Sequence, residues 1–95
     1  MILLTQQQFG IELRQVLSNL ETLLIDKNLK YGDAALNPVQ TFSKSSAIEL
    51  INIRMDDKLS RIRNRQNNED EDPEQDLLGY LVLKQIALQR LKGSQ

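Results

Sequence analysis

The sequence predicts an all-α fold, a bundle of three main helices with room for a short fourth. Apolar residues recur every three to four positions in three long stretches, and each stretch begins with residues typical of a helix N-terminus. No stretch alternates apolar and polar residues as a strand does. A chain of 95 residues is expected to form one domain, residues 1–95. Its core is small for its surface, so we also expect a homo-oligomer.

The first helix is predicted from the segment Thr5–Gln8, which has the form of a capping box with Thr5 as the N-cap. Apolar residues then share one helical face. They are Phe9, Leu13, Val16, Leu17, Leu20, Leu23 and Leu24. The pattern ends at about Lys30, and Gly32 is typical of the residue just after a helix C-terminus.

The connection over residues 31–44 is predicted to interrupt the helices. Pro38 disfavours helical angles at Asn37, so one continuous helix is excluded here. Long loops in compact domains are usually functional or ordered by packing. We therefore expect Val39 and Phe42 to pack onto the core, and residues 34–36 to form a short turn.

The second helix is predicted from a second capping box, in which Ser46 is the N-cap and Glu49 the third helical residue. The helix is expected to run to about Arg65. Its apolar face contains five residues, with two more at its edges. They are Ile48, Ile51, Met55, Leu59 and Ile62, widened by Leu50 and Ile53.

The third helix follows a polar, acidic connection over residues 67–71. Asp72 is predicted as its N-cap and Pro73 as its first residue, with Gln75 at the third position. The helix is expected to end at Lys92-Gly93. Apolar residues lie on most sides of it, which indicates either the most buried helix of the bundle or an oligomer contact.

The composition excludes several classes of site. The chain contains no Cys and no His, which excludes thiol nucleophiles, thiolate zinc sites, imidazole bases and Ser-His-Asp triads. A metal would need oxygen ligands, which favours Mg²⁺, Mn²⁺ or Ca²⁺. The net charge of −1 gives no general attraction to nucleic acid or membrane, and no apolar run reaches the roughly 18 residues of a membrane span. We expect a cytoplasmic protein without nucleic-acid or membrane partners.

Charged residues on the second and third helices are the candidate site. Four on the second helix share one stripe at positions i, i+3, i+4 and i+7. They are Arg54, Asp57, Lys58 and Arg61. A second stripe on the third helix interrupts its apolar pattern. It contains Asp72, Asp76, Tyr80 and Lys84. Pairing the stripes predicts a mixed-charge cluster. The alternatives are a solvated surface of weak ion pairs and a structural Arg54–Asp57–Asp76 network.

A set of short motifs, in this order, resembles the nucleotide modification associated domain family of phages and bacteria. The motifs are Lys30-Tyr31-Gly32-Asp33, Asn37-Pro38, Phe42, Arg54-x-x-Asp57-Lys58-x-x-Arg61 and Asp72-x-x-x-Asp76-x-x-Gly79-Tyr80. The resemblance covers roughly residues 27–90. That family is similar to the all-α nucleoside triphosphate pyrophosphohydrolases of the MazG and dUTPase-like group, which implies a MazG-like helical fold and a nucleotide ligand.

The resemblance to the pyrophosphohydrolases also implies acidic pairs on two helices that hold Mg²⁺ against a triphosphate. By position, Asp57 and Asp76 match one acid of each pair, and Asp72 lies one place early for another. Arg54 and Pro73 stand where the remaining acids would be. A guanidinium in place of a carboxylate removes a ligand and repels the cation, so this cage should bind Mg²⁺ poorly.

Three functional hypotheses follow, and no catalytic residue is assigned. In the first, Arg54, Lys58 and Arg61 contact phosphates, Tyr31 or Tyr80 contacts the base, and Lys30 lies at the phosphate rim. Such a protein would sequester a nucleotide or cyclic nucleotide signal, as the phage resemblance implies. In the second, Asp57, Asp72 and Asp76 hold Mg²⁺ for pyrophosphohydrolysis. In the third, the chain is a helical interaction module without a ligand. Each tyrosine and lysine also has an ordinary structural explanation, in core packing or at a helix end.

Overall fold

A computed structural model describes residues 2–40, 42–64 and 71–93, and it confirms the all-α class. Three helices occur in this part of the chain: α1 (Ile2–Tyr31), α2 (Ala47–Arg63) and α3 (Pro73–Gly93). These ranges contain no strand. The chain divides into two compact units, residues 1–32 and 33–95. Each unit is described by itself below.

The first unit consists of α1, whose predicted C-terminus is confirmed. The helix ends at Tyr31, and Gly32 adopts a left-handed φ of 62°. Glycine takes this conformation without the steric cost that a Cβ atom imposes. The predicted start at Thr5 is wrong, because α1 begins at Ile2. The residues before Thr5 continue the helix, so the Thr-x-x-Gln pattern does not mark its boundary.

The connection from Gly32 to Ser46 contains the predicted turn and no fourth helix within the residues described. The carbonyl oxygen of Asp33 accepts hydrogen bonds from the N–H groups of Leu36 at 3.1 Å and Asn37 at 2.9 Å. The expectation that Val39 and Phe42 pack onto the core is wrong: they are 84% and 99% exposed. Neither residue belongs to a helix, so no helical face directs these two side chains toward the core.

The second unit contains α2 and α3, which pack against each other. Both predicted N-caps are confirmed. The Ser46 hydroxyl accepts a hydrogen bond from the Glu49 N–H at 3.1 Å, and Asp72 Oδ1 accepts one from the Gln75 N–H at 3.0 Å. Each satisfies one N–H of a first turn. The C-cap of α2 is Asn64, one residue before the predicted end at Arg65, which lies outside the described residues.

The helix pair buries only part of the predicted apolar faces. Ile51 of α2 is almost fully buried. On α3 the buried residues are Gly79, which has no side chain, and Ala87, whose side chain is one methyl group; residues this small permit close approach of the helices. Ile53 and Leu59 were expected on the buried face of α2 but are exposed. A 17-residue helix packed on one partner covers a narrow stripe; Leu59 lies at its edge, and Ile53, two residues after the buried Ile51, lies on the opposite side of the helix.

The third helix is not buried on all sides. Four of its leucines are exposed. They are Leu78, Leu81, Leu88 and Leu91. The apolar pattern around α3 therefore marks one face packed on α2 and a second apolar face at the surface. Of the two alternatives predicted for this helix, the most buried helix of the bundle or an oligomer contact, this second apolar face leaves the oligomer contact open.

Candidate functional site

The candidate site lies where the C-terminal half of α2 meets the start of α3. Lys58 follows Ile51 by seven residues, so both lie on the stripe of α2 that faces α3. Asp57 and Arg61 lie beside this stripe, nearer to solvent. The register of α2 thus directs one cation into the helix pair and places a second at its edge. We call Asp57, Lys58, Arg61, Glu71 and Asp76 the charge cluster.

Lys58 lies at the centre of the charge cluster. Its Nζ is 2.7 Å from Glu71 Oε1 and 3.1 Å from Asp76 Oδ2. The three side chains are only 15%, 18% and 20% exposed. Ion pairs shielded from water in this way are screened less by salt than fully exposed ones. They also connect the end of α2 to the start of α3 and so fix the register of the pair.

Arg61 extends the charge cluster toward solvent. Its Nε donates to Asp57 Oδ2 at 3.1 Å, and its Nη1 donates to Glu71 Oε2 at 2.6 Å. Glu71 therefore bridges Lys58 and Arg61 through its two carboxylate oxygens. The Arg61 side chain remains 38% exposed. A single carboxylate thus orients two cations that lie one turn apart on α2.

The charges of the cluster shift each other's protonation equilibria. The hydrogen bond from Lys58 holds the pKa of Glu71 below its ordinary value of 4.5, and Arg61 acts in the same direction. The same hydrogen bond with Glu71 raises the pKa of Lys58, and burial opposes this shift only in part. The negative charge of Asp57 raises the pKa of Arg61, with Glu71 adding to it. Both cations and Glu71 are therefore charged at neutral pH.

The structure brings some of the predicted nucleotide-binding residues together and leaves others apart. Lys58 and Arg61 meet in the charge cluster, and Tyr80 lies half-buried on α3, one turn after Asp76. Arg54 is exposed and has no hydrogen bond or ion pair within the described ranges. Lys30 and Tyr31 are exposed in the last turn of α1, which belongs to the other compact unit.

The predicted Arg54–Asp57–Asp76 network is wrong in one residue, because Arg54 does not belong to it. Asp57 pairs with Arg61 and Asp76 pairs with Lys58, whereas Arg54 points to solvent. Arg54 lies one turn before Lys58 and so further from the C-terminal end of α2, where Glu71 and Asp76 pair with Lys58 and Arg61. The network exists, but its cations are one and two turns further along α2 than the predicted one.

Sequence reasoning missed two residues of this region. Glu71 was assigned to the acidic connection, yet it pairs with both cations. Its position just before the N-cap Asp72 was the available signal, because that residue lies at the N-terminus of α3 beside the end of α2. Asn52 was also missed: its Oδ1 is buried and has no hydrogen-bond partner among the residues described. Nothing in the sequence pattern distinguishes Asn52 from a surface amide.

The residues predicted to hold Mg²⁺ do not fit a metal site. Asp57 and Asp76 are paired with cations, and Asp72 Oδ1 accepts the capping hydrogen bond of α3. The described ranges contain no group of three or more acidic side chains arranged to hold a metal ion. Mg²⁺ requires several oxygen ligands in near-octahedral geometry, and an ammonium 3.1 Å from Asp76 repels it.

Comparisons with known proteins leave the family open. No family model, no curated protein and no solved structure matches this chain. Among the helices described, none is both long enough and apolar enough to cross a membrane. The function must therefore be argued from the geometry of the charge cluster.

Proposed function

We propose that this chain is a cytoplasmic protein that binds a phosphorylated nucleotide at the solvent side of the charge cluster. The observation that carries this proposal is the bridging carboxylate of Glu71, which holds Lys58 and Arg61 side by side. Cations that are already oriented lose less side-chain entropy when they bind an anion. A planar guanidinium also matches two phosphate oxygens at once.

The hydrogen-bond donors of Arg61 are not exhausted by its two acidic partners. A guanidinium has five N–H groups, and Asp57 and Glu71 accept from Nε and Nη1. Among the residues that the structure describes, Nη2 and the second hydrogen of Nη1 have no acceptor, so they can serve a ligand. Arg54, exposed two turns earlier on the same stripe, adds a complete guanidinium. Lys58 contributes mainly positive charge, since most of its side chain is covered.

The base of the nucleotide needs an aromatic contact. Tyr80 is the nearest candidate in the sequence of α3, because it follows Asp76 by one turn. A protein that binds without turnover would act by sequestering a nucleotide or a cyclic nucleotide signal, as the resemblance to phage proteins suggests.

A second candidate function is a helical interaction module in which the charge cluster only joins α2 to α3. The charge balance favours it: three acids surround two cations, so the charge cluster by itself carries a net negative charge. Magnesium-dependent pyrophosphohydrolysis has less support, because the acids that it needs are paired with cations or cap a helix.

The test uses one exposed arginine whose loss leaves the charge cluster intact. The protein is incubated with pooled NTPs, dNTPs and cyclic dinucleotides, and the free pool is analysed before and after heat release. We expect one intact nucleotide to be retained. Because a hydrogen bond to a charged group contributes about 1.5–3 kcal/mol, Arg54→Ala should weaken its binding by roughly ten- to a hundredfold.

Arg63→Ala is the matched control. Arg63 is an exposed arginine of the same helix, but it lies on a different side from Arg54. Its replacement should leave affinity within about twofold, because it removes the same net charge without a phosphate contact. Equal losses in both variants would show only general attraction. If no nucleotide is retained, the helical interaction module is the function that remains. If pyrophosphate is released in the presence of Mg²⁺, the protein is a pyrophosphohydrolase.

A further inference from the structure

The outer face of α3 carries an apolar stripe with no described partner. Leu78, Leu81, Leu88 and Leu91 are 44%, 46%, 38% and 55% exposed. At 3.6 residues per turn their spacing of i, i+3, i+10 and i+13 spreads them over about 140° of the helix surface, with Leu91 at the edge nearest the buried Ala87. Lys84 and Gln85 lie between Leu81 and Leu88 on the same side, so the stripe consists of two leucine pairs, one near each end of the helix. Exposed apolar surface of this kind usually marks an interaction site. The order of the residues along the stripe indicates what binds to it.

The stripe is symmetric along the helix. Leu78 and Leu91 lie equally far from its midpoint, which falls between Lys84 and Gln85, and so do Leu81 and Leu88. A second copy of α3 laid antiparallel across this midpoint therefore places Leu78 opposite Leu91 and Leu81 opposite Leu88, twice over. A two-fold interface has to be self-complementary in this way, because each copy presents the same surface.

The charges of α3 are complementary in the same orientation. The first turn is acidic, with Glu74 and Asp76, and the last turn is basic, with Arg90 and Lys92. Glu74 and Lys92 lie on the side of the leucine stripe. In the antiparallel pair, Glu74 of one copy lies about 4.5 Å along the axis from Lys92 of the second copy, within reach of two long side chains. In a parallel pair, Glu74 would lie near Glu74 of the second copy and Lys92 near its Lys92, so like charges would repel.

The size of the stripe agrees with a pair of helices. The 21 residues of α3 span about 32 Å, and a helix is about 10 Å wide, so one pair removes on the order of 1,000 Å² from water. Stable interfaces begin at roughly 1,200 Å², so a helix pair of this size is expected to associate weakly. We infer that α3 forms an antiparallel, two-fold contact with α3 of a second copy, which makes the protein a micromolar homodimer independently of any nucleotide.

Disulfide cross-linking tests the position of the two-fold axis, because the chain contains no other cysteine. Two copies of Gln85→Cys are offset by about 1.5 Å along the axis, so they should cross-link under mild oxidation. Gln89→Cys is the matched control, a second exposed glutamine one turn later whose two copies are about 13 Å apart. Equal cross-linking in both variants, or none in Gln85→Cys, overturns the inference.

A charge exchange provides an independent test by analytical ultracentrifugation at roughly 1–500 µM. Glu74→Lys and Lys92→Glu should each weaken dimerisation by about tenfold, since each places like charges together at both ends of the pair. The double variant should restore the wild-type constant, whereas additive losses contradict the pairing. A wild-type chain that stays monomeric over this range also contradicts it, and would mean that its own first helix or another protein covers the stripe.

Discussion

Removal of the Lys58 charge is the most direct test of how the α2–α3 pair is held together. Lys58→Met keeps most of the apolar stem and deletes both ion pairs, at 2.7 Å to Glu71 and 3.1 Å to Asp76. Glu71 keeps Arg61 as a partner, so the variant loses only part of the stabilisation that the ion pairs of Glu71 provide. A hydrogen bond to a charged group is worth about 1.5–3 kcal/mol when fully shielded. Partial exposure here reduces the net cost to about 1.5 kcal/mol.

A loss of this size is measurable in a small protein. For a domain of 60–100 residues, 1 kcal/mol corresponds to roughly 4–8 °C in Tm, so Lys58→Met should melt about 6–12 °C lower. Urea denaturation followed by far-UV circular dichroism gives the free energy of unfolding directly. In a double-mutant cycle with Glu71→Gln, the two changes should be less than additive, with a coupling energy of about 1 kcal/mol.

The control for this experiment is Arg54→Met, one turn earlier on the same helix. Arg54 is exposed and has no ion pair within the described ranges, so its loss should change the free energy of unfolding by less than about 0.5 kcal/mol. If Lys58→Met is no more destabilising than Arg54→Met, the ion pairs do not stabilise the helix pair. The charge cluster would then be a surface feature.

Two further predictions concern pH and the end of α1. Because the pKa of Glu71 is lowered on folding, its charge stabilises the protein above pH 4.5 and loses this effect as pH falls through the lower, folded-state pKa. The difference in unfolding free energy between wild type and Glu71→Gln should be constant from pH 7 to 5 and shrink below about 4.5; a constant difference down to pH 3 would contradict this. Gly32→Ala should destabilise by about 1 kcal/mol because of the positive φ alone, since no atom lies within 4 Å of the added Cβ. Gly32→Asn should cost less in the same urea titration, and equal losses would place the cause elsewhere.

The helix ends were the most predictable feature of this fold. Ser46 and Asp72 act as N-caps as expected, and Gly32 ends α1 in the left-handed conformation. These features are local: a side chain satisfies a backbone N–H three residues away, so the sequence contains both partners. Thr5 shows the limit, because a residue suited to capping also occurs inside a helix when the residues before it continue the turn.

The burial of apolar side chains was less predictable. Phe42 and Leu59 are exposed although both were expected in the core. Helical spacing shows which residues share a face, but how much of that face is covered depends on the neighbouring element. In the unit of residues 33–95, two helices cover one stripe each, and the rest of each apolar face reaches the surface. The spacing of the apolar residues alone does not show how wide a stripe of each helix is covered by its neighbour.

The sequence predicted a mixed-charge cluster between the second and third helices, but it did not predict which residues form the ion pairs. A mixed-charge group between the second and third helices follows from two charged stripes, but the choice of Lys58 over Arg54 depends on where α3 begins relative to α2. A shift of one turn, about 5.4 Å, changes every partner. Glu71 escaped prediction for the same reason, since its importance comes from lying opposite two cations and not from any motif around it.

The exposure of Arg61 distinguishes the two functions that remain. A cluster that only joins helices gains most when all its donors are satisfied and covered, as Lys58 nearly achieves. Arg61 is held by two acids yet keeps N–H groups at the surface, beside the exposed Arg54. The inner part of the charge cluster therefore suits stability and its outer part suits an anion. On this argument, Lys58→Met should affect folding and binding together, whereas Arg54→Ala should affect binding alone.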